Sequence, residues 1–244
     1  MTKTFLIDTS RCTACRGCQL ACKEWHELPA NKTKQTGSHQ NPPDLNPNNY
    51  KVVRFHDYID DTGVVRWNFF PDQCRHCDIA PCKETGDMYI EEAITQDART
   101  GAILYTEKTA KFTKEQFEEI REACPYNVPR RNEKTGLMAK CTMCNDRVLN
   151  GMPPACVRAC PTGAMQFGDR DAMLKLAEER LATVKKDWPK AFLADPDSVN
   201  VIYLLIDKPE TYHEFAVASA APVSPLTKKQ LFAKLGRPLK AMKA

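Results

Sequence analysis

The sequence has no long apolar run, no excess of charge of one sign and no signal-peptide pattern at its start. No stretch approaches the roughly 20 apolar residues that a helix needs to cross a bilayer, so we expect no transmembrane segment. Residues 1–11 lack the charged start and the apolar core of an export signal. The 35 basic residues are nearly balanced by 31 acidic ones, giving a net charge of +4, and this mild, interspersed charge does not favour nucleic-acid binding.

Cysteine is the residue type that stands out. The 12 cysteines among 244 residues remain below the roughly 8–10% typical of a small disulfide scaffold. Many of them occur in C-x-x-C pairs, and this spacing is typical of metal binding rather than of disulfides. The chain is also long enough to bury the cores of two small domains. We therefore interpret the cysteines as metal ligands.

Two four-cysteine runs carry the pattern of a bacterial ferredoxin. The first run has gaps of two, two and three residues and ends at Cys22, whereas the second ends with Cys160-Pro161. In two-cluster ferredoxins the fourth cysteine of each run binds the other run's cluster, so the two runs pair reciprocally. The predicted ligands are Cys12, Cys15, Cys18 and Cys160 for cluster one, and Cys22, Cys141, Cys144 and Cys156 for cluster two.

The other four cysteines are a run of three without a fourth, Cys74, Cys77 and Cys82, and an isolated closing residue, Cys124. Gly86 stands where a fourth cysteine should follow the triple, and no triple precedes Cys124-Pro125. Because the two remnants complete each other, cluster three is predicted on Cys74, Cys77, Cys82 and Cys124. Three filled 4Fe-4S clusters leave no iron open to a substrate, which favours electron transfer and predicts no catalytic residue. The alternative is a zinc-stapled interaction protein, since C-x-x-C pairs also build structural zinc sites.

Charged residues within the cluster runs are candidates for tuning the cluster potentials. For each of them, the alternative to a tuning role is an ordinary solvated charge on the surface. They are Arg11, Arg16, Arg75, Lys83, Lys140, Arg147 and Arg158. His76 is a candidate hydrogen-bond donor to a cluster sulfur, with a packed or exposed histidine as the alternative.

The remaining pattern predicts an α+β fold. Strands are expected at 4–8, 102–105 and 199–206, a hairpin from 50–56 and 64–70, and helices over 111–123 and from Asp169 or Asp171 to Lys186. Because Cys22 and Cys141 must share a cluster, we predict two ferredoxin-like modules, one inserted in the other. The outer module takes residues 1–25 and 135–168 and the inserted part 26–134, followed by a C-terminal helix-strand extension and tail, 169–244.

Two segments are irregular. The stretch 26–49 is longer than most loops, and it either wraps a partner, covers a cluster or is a solvated excursion. Residues 216–244 alternate small, proline and basic residues around a short amphipathic patch at 226–235. This tail predicts partner docking or disorder rather than membrane binding.

In its motifs the chain resembles the iron-sulfur subunits of the molybdopterin oxidoreductase family over about residues 2–215. The motifs follow in the family's order: the Cys12 run, Cys74-Arg75-His76-Cys77 with Pro81-Cys82, Ala123-Cys124-Pro125-Tyr126, and the Cys141 run with Thr162-Gly163-Ala164. The relatives usually carry four cubes, so this chain departs by one. Lys23-Glu24-Trp25 and the loop 37–45 are similar to the small subunit of tungsten or molybdenum formate dehydrogenases.

This resemblance implies a large catalytic subunit that holds a tungsten or molybdenum bis-pterin cofactor and passes electrons to the present chain. It further implies a periplasmic complex, exported folded with that subunit, and a soluble multihaem c-type cytochrome as acceptor; a cytoplasmic protein is the alternative. The rival function is the same module in a polysulfide, thiosulfate or nitrate reductase. Because an electron path tolerates loss only at its end, we expect cluster three, whose partner cube is missing, to be the exit.

Overall fold

A computed structural model describes residues 2–60 and 62–218, and its centre is a four-stranded sheet in the order β8-β1-β10-β9. These strands are β1 (Lys3–Asp8), β8 (Met165–Asp169), β9 (Phe192–Ala194) and β10 (Val201–Leu205). β1 runs antiparallel to β8 and parallel to β10, with Phe5 opposite Val201. Every residue of β10 is buried, as expected for an apolar strand covered on both faces. The strands predicted at 4–8 and 199–206 are thus confirmed.

One long helix, α6 (Arg170–Val184), packs on this sheet. Asp169 is its N-cap residue but does not cap with its side chain, which instead accepts a hydrogen bond from Lys3 at 2.6 Å. Ala177 and Val184 are buried, and the leucines of the same stripe are partly buried against the core. The predicted helix with its core-facing stripe is confirmed.

The predicted hairpin is also confirmed, as β2 (Val52–Ile59) paired antiparallel with β3 (Val65–Asp72). Its base is buried and its tip is exposed, with Ile59 70% and Trp67 66% accessible. The backbone N–H groups of Thr62 and Val64 donate to the Asp60 carboxylate and shape the turn. The buried base places charged residues of both strands in the interior of the protein.

The segment between β3 and Cys141 folds around a small core of its own. Its elements are α2 (Pro81–Asp87), β4 (Ile94–Gln96), β5 (Ile103–Tyr105), α3 (Lys114–Glu122), β6 (Arg130–Arg131) and β7 (Met138–Ala139). β4 pairs with β5, and β6 pairs with β7, both antiparallel. The core includes Ile94, Ile103, Phe117 and Ile120.

The helix predicted over 111–123 begins later than expected. Thr113 accepts from the Gln116 N–H and the Gln116 side chain accepts from the Thr113 N–H, which forms a capping box. The helix therefore starts at Lys114, and Phe112 lies before it although Phe112 is buried in the same core.

Three shorter helices contain cysteines of the two complete runs or begin directly after one. They are α1 (Gly17–Trp25), α4 (Asn145–Leu149) and α5 (Ala155–Arg158). The side chain of Trp25 in α1 donates to Asp146 in α4 at 3.0 Å, and α1 packs against α5. These contacts join the beginning of the chain to the segment that carries Cys141 and Cys156.

The long segment 26–49 has no helix or strand, only an isolated bridge between Asn46 and Asn49. Its Asp44 carboxylate forms ion pairs with Arg54 and Arg130, both at 2.5 Å. Lys23 donates to the carbonyls of Pro29 and Asn48. The segment is therefore held against the protein by hydrogen bonds and charge rather than by regular structure.

The protein is a mixed α+β chain with small sheets, as the sequence predicts. Within residues 2–60 and 62–218, no helix is both long enough and apolar enough to span a membrane. The predicted docking or disorder of 216–244, with its patch at 226–235, falls almost entirely outside the described residues, which end at 218.

Candidate metal centres

Three C-x-x-C loops share one backbone conformation. In each, the residue just before the second cysteine has a positive φ: 53° at Ala14, 49° at His76 and 61° at Met143. This turn aims the residue's N–H at the first cysteine's sulfur, with His76 N 3.3 Å from Cys74 Sγ and Met143 N 3.4 Å from Cys141 Sγ. Such inward N–H groups suit an anionic sulfur ligand.

The first group of thiols surrounds a cavity of about 320 Å³, its opening to solvent included. The cysteines that line it are Cys12, Cys15, Cys18 and Cys160. Val53 and Pro71, at the hairpin base, and Met165 of β8 form the apolar wall. Cys15 is exposed and Cys18 is buried, so this cavity lies at the protein surface.

Another group of thiols surrounds a second cavity, also of about 320 Å³. The cysteines that line it are Cys74, Cys77, Cys82 and Cys124. Arg75, Tyr105 and Lys140 share the lining. The structure thus brings together the incomplete triple and the isolated closing cysteine.

The remaining four cysteines, Cys22, Cys141, Cys144 and Cys156, are all buried. Burial, and then the charges of Cys141, Cys156 and Cys144, raise the pKa of Cys22 well above its ordinary value. Cys22 is not among the residues that line the Cys12 cavity. It therefore lies with the second run, although it ends the first run in sequence.

Most of these thiols resist ionisation when no metal balances them. Burial raises the pKa of Cys12 to about 11 and that of Cys82 to about 12. For Cys82 the neighbouring thiolates Cys124 and Cys74 add to the effect, whereas Lys140 opposes it. Metal binding must therefore expel protons from these sites, and nearby cations favour that step.

Arg75 is one of two cations that line the Cys74 cavity, the other being Lys140. Arg75 is 2% exposed, forms an ion pair with Asp72 at 3.0 Å and lies 4.5 Å from the ring centroid of Tyr203. Its Nε and Nη2 have no hydrogen-bond partner among the described residues, and the buried Tyr105 hydroxyl is directed at the Cys82 thiol. Buried donors are rarely left unpaired, and both residues line the cavity. The site thus fits an anionic group with acceptor sulfurs, such as a 4Fe-4S cluster with four thiolate ligands.

Two buried lysines lie close to the thiols. Lys51 Nζ donates to the Pro71 carbonyl at 3.2 Å and to the Gln73 side chain. Lys140 Nζ donates to the carbonyls of Ile103 at 2.5 Å and Cys141 at 3.0 Å. The sequence signal for Lys140 was its place beside Cys141. Lys51 was missed, because nothing in the sequence around it marks a lysine that the hairpin base buries.

The other predicted tuning residues are not buried. Arg11, Arg16 and Arg158 are exposed. Lys83 pairs with Asp87 at 2.6 Å, and Arg147 stacks on the Trp25 ring at 4.2 Å. Arg16 nonetheless lines the cavity of the Cys12 group, and the charge of Arg147 opposes the rise in the pKa of Cys144. A tuning role therefore stays a prediction for these two residues.

His76 is a packed residue. Its Nδ1 accepts a hydrogen bond from the Ile103 N–H at 3.0 Å, and its ring is fully buried. The donor to sulfur at this position is the His76 backbone N–H. Because Nδ1 accepts, Nε2 carries the ring proton, and this buried nitrogen has no hydrogen-bond partner among the described residues. The imidazole as a donor to a cluster sulfur therefore stays a prediction.

Comparison with known proteins shows which family has this arrangement of cysteines. Residues 65–170, which contain the Cys74 triple, Cys124 and the whole Cys141 run, match the 4Fe-4S dicluster domain. The chain is 60% identical over 216 residues to formate dehydrogenase 2 subunit beta (cytochrome c-553) of Nitratidesulfovibrio vulgaris, covering 88% of this chain and 99% of that protein. It is 54% identical to formate dehydrogenase subunit beta of Megalodesulfovibrio gigas, covering 89% and 100%.

The sequence identity to a subunit of a different oxidoreductase is lower. A subunit of the anaerobic dimethyl sulfoxide reductase of Escherichia coli is 30% identical over 206 residues, covering 80% of this chain and 86% of that protein. The formate dehydrogenase subunits match this chain with higher identity and over nearly their full length, which favours them over the dimethyl sulfoxide reductase subunit. The match to the 4Fe-4S dicluster domain supports iron-sulfur clusters over structural zinc. The chain belongs to the family of formate dehydrogenase beta subunits, the iron-sulfur subunits that carry electrons for that oxidoreductase.

Proposed function

We propose that this formate dehydrogenase subunit holds three 4Fe-4S clusters, one on each group of four cysteines. The observation that carries the proposal is the arrangement of all 12 thiols in three groups, two around cavities and one around Cys22. Each cluster, when bound, accepts and releases one electron. The chain's own residues supply the thiolates, inward N–H groups and apolar walls that exclude water.

The three groups are proposed to lie in a row, with the Cys22 group in the middle. The charge of Cys18, from the first group, acts on Cys156 of the middle group. The charge of Cys74, from the third group, acts on Cys141 of the middle group. Electrons then enter at one end of this row and leave at the other.

The domain organisation follows from the same cysteines. We propose an outer module of residues 1–25 and 135–168 that is closed by the Cys22 group, with 26–134 inserted. The pairing of β1 with β8 supports this, since it joins the two parts of the outer module. The extension contributes β9 and β10 to the same sheet.

The partners are proposed from the family. The chain requires a catalytic subunit, and we propose that this subunit holds a tungsten or molybdenum bis-pterin cofactor. The name of the Nitratidesulfovibrio relative includes cytochrome c-553, which supports a soluble c-type cytochrome as acceptor, in line with the multihaem cytochrome expected from the resemblance. Such a complex belongs in the periplasm, exported folded with the catalytic subunit.

Purification of the complex tests this function. We expect a large subunit to co-purify, with tungsten or molybdenum in it and about twelve iron atoms in the present chain. Formate should bleach the iron-sulfur absorbance of the complex. A zinc-loaded colourless chain, or a content of about sixteen irons, would contradict the cluster assignment.

A further inference from the structure

Lys51 is buried where the first and middle cysteine groups meet. Its side chain is 2% exposed although it carries an ammonium group. Burial alone would lower the pKa of Lys51, but Cys18 of the first group and Cys156 and Cys141 of the middle group raise it above its ordinary value. Its hydrogen bond to Pro71 fixes the ammonium beside a wall of the first cavity. The residue is therefore a fixed cation facing two thiol groups.

Lys140 occupies the corresponding position between the middle and third groups. It is 5% exposed and lines the cavity of the third group. Its ammonium donates to the carbonyl of Cys141 in the middle group at 3.0 Å and lies 4.7 Å from the Tyr105 ring centroid.

We propose that Lys51 and Lys140 are shared counter-charges, each placed between two neighbouring clusters and raising the reduction potential of both. This rests on the proposed three-cluster function. Reduction adds negative charge to an anionic cluster, so a nearby buried cation stabilises the reduced form. Solvent screens such buried charges only weakly. Because each lysine serves two clusters, the middle cluster feels both.

The groups facing these lysines do not neutralise them. The Lys51 ammonium contacts the Pro71 carbonyl and the Gln73 amide oxygen, and Lys140 contacts two carbonyls. Neither forms an ion pair with a carboxylate among the described residues. The third group has a second cation, Arg75, but that residue is paired with Asp72. Lys51 and Lys140 are thus buried positive charges that no carboxylate of the described residues pairs with.

Redox titration of the complex, followed by EPR, tests this assignment, because each substitution is expected to shift the potentials of two clusters and not of the other. Lys51→Met should lower the midpoint potentials of the first and middle clusters and leave the third unchanged. Lys140→Met should lower those of the middle and third clusters and leave the first unchanged. In the double variant the two shifts of the middle cluster should add. Cys12→Ser and Cys124→Ser, which perturb one end cluster each, assign the signals.

Matched variants separate charge from packing. Lys51→Arg and Lys140→Arg keep the cation and should leave the potentials near those of the unaltered complex. Lys51→Gln and Lys140→Gln keep polarity without charge and should follow the methionine variants. Lys175→Met, which removes an exposed lysine, should shift no potential. The shifts should persist at high ionic strength.

The outcomes are distinguishable. If the unaltered complex does not show three clusters and about twelve irons, the proposed function fails before the lysines are tested. If three clusters are present, unchanged potentials in fully loaded variants, or equal shifts of all three signals, overturn the lysine assignment. Iron loss confined to the two clusters beside the replaced lysine supports it, because those anions then lack their shared cation.

Discussion

Arg75 shows how one buried residue joins the core to a metal site. Its guanidinium is packed among aromatic rings and paired with Asp72, which also pairs with Arg54 at 2.8 Å. Arg75→Met removes the cation and leaves Asp72 with one partner. We expect a loss of about 3 kcal/mol in stability, seen as a lower thermal midpoint of the iron-loaded protein.

Arg99 provides the control for that change. Its side chain is 71% exposed and its ion pair with Asp97 is 3.0 Å long. Exposed pairs contribute only about 0–1 kcal/mol, so Arg99→Met should barely move the midpoint. Equal effects of the two substitutions would contradict the role assigned to burial at Arg75.

Cys124 is a proposed ligand that its own neighbourhood in the sequence does not explain. We predict that Cys124→Ser damages only the cluster held with Cys74, Cys77 and Cys82. Iron content should fall from about twelve to between about eight and eleven, depending on whether the cluster is lost or becomes a three-iron centre. EPR should show the other two clusters unchanged.

Cys12→Ser is the matched control, because it replaces one ligand of the first group instead. It should perturb a different EPR signal and leave the Cys124-dependent signal intact. Loss of the same signal in both variants would show that the cysteines are grouped wrongly.

At the scale of elements, α3 is set by its cap. The capping box of Thr113 and Gln116 fixes the first turn, and Phe117 and Ile120 then face the core of the inserted segment. Thr113→Ala should cost about 1 kcal/mol, measured as a lower thermal midpoint. The adjacent exposed Lys114→Ala should have little effect. A silent Thr113→Ala would mean that packing alone fixes the helix start.

α2 contains the position where a further cluster ligand is missing. A Cβ built on Gly86 would lie 3.0 Å from Ile94 Cδ1 and 3.6 Å from Phe112 Cζ, so apolar side chains occupy the space beside this residue. Gly86→Cys should therefore leave iron at about twelve atoms. It should also destabilise by about 1 kcal/mol, since overpacking outweighs the gain in helix propensity.

Ile94→Val is the companion to that test, because it removes the methyl group nearest to the new side chain. It should cost less stability in the Gly86→Cys background than in the unaltered protein, and this coupling is measurable as a double-mutant cycle. A rise in iron towards about sixteen atoms would contradict the prediction.

Local elements could be predicted from the sequence because their signals are local. Two runs rich in β-forming residues, joined at Asp60-Asp61-Thr62-Gly63, identify the hairpin, and the apolar stripe identifies α6. The parallel pairing of β1 with β10 could not be predicted, since it joins Phe5 to Val201 across nearly the whole chain. The positive φ values at Ala14, His76 and Met143 also carry no sequence signal, because none of these residues is glycine.

The site was predictable to a different degree. Cysteine spacing, combined with the reciprocal pairing of runs in two-cluster ferredoxins, led to the grouping of thiols that the fold brings together. The cations were not predictable in the same way. Of the seven charged residues near the cysteines, only Arg75 and Lys140 are buried, and Lys51 gains its position from the hairpin base, which no local pattern reports.

At the scale of the whole molecule, several long-range contacts fix the elements that carry the proposed row of thiol groups. β10 is central to the sheet, and its Tyr203 donates to the Pro71 carbonyl at 2.7 Å at the hairpin base. Asp44 ties the long segment 26–49 to the hairpin through Arg54 and to β6 through Arg130. Rigid spacing of this kind suits electron transfer, which needs no moving part in the subunit.

The proposed row has two ends, and we predict that the Cys74 group is the exit. The module that carries this group has apolar side chains where a further cluster would need ligands, so no cluster follows it within the described residues. An interior link cannot be lost without breaking the path, whereas loss of a terminal link exposes its neighbour to an external acceptor. In the complex, Cys124→Ser should therefore abolish reduction of a c-type cytochrome by formate, while formate still reduces the first and middle clusters.

The alternative direction predicts a different result for the same variant. If the Cys74 group lay next to the catalytic subunit, Cys124→Ser would block entry, and formate would reduce neither remaining cluster. Stopped-flow absorbance separates the two cases, because it follows cluster bleaching and cytochrome reduction in one experiment. Unimpaired cytochrome reduction in a variant that has lost this cluster would remove the Cys74 group from the path. Reduction of an artificial acceptor at the catalytic subunit should persist in every case, which shows that the chemistry of formate itself is intact.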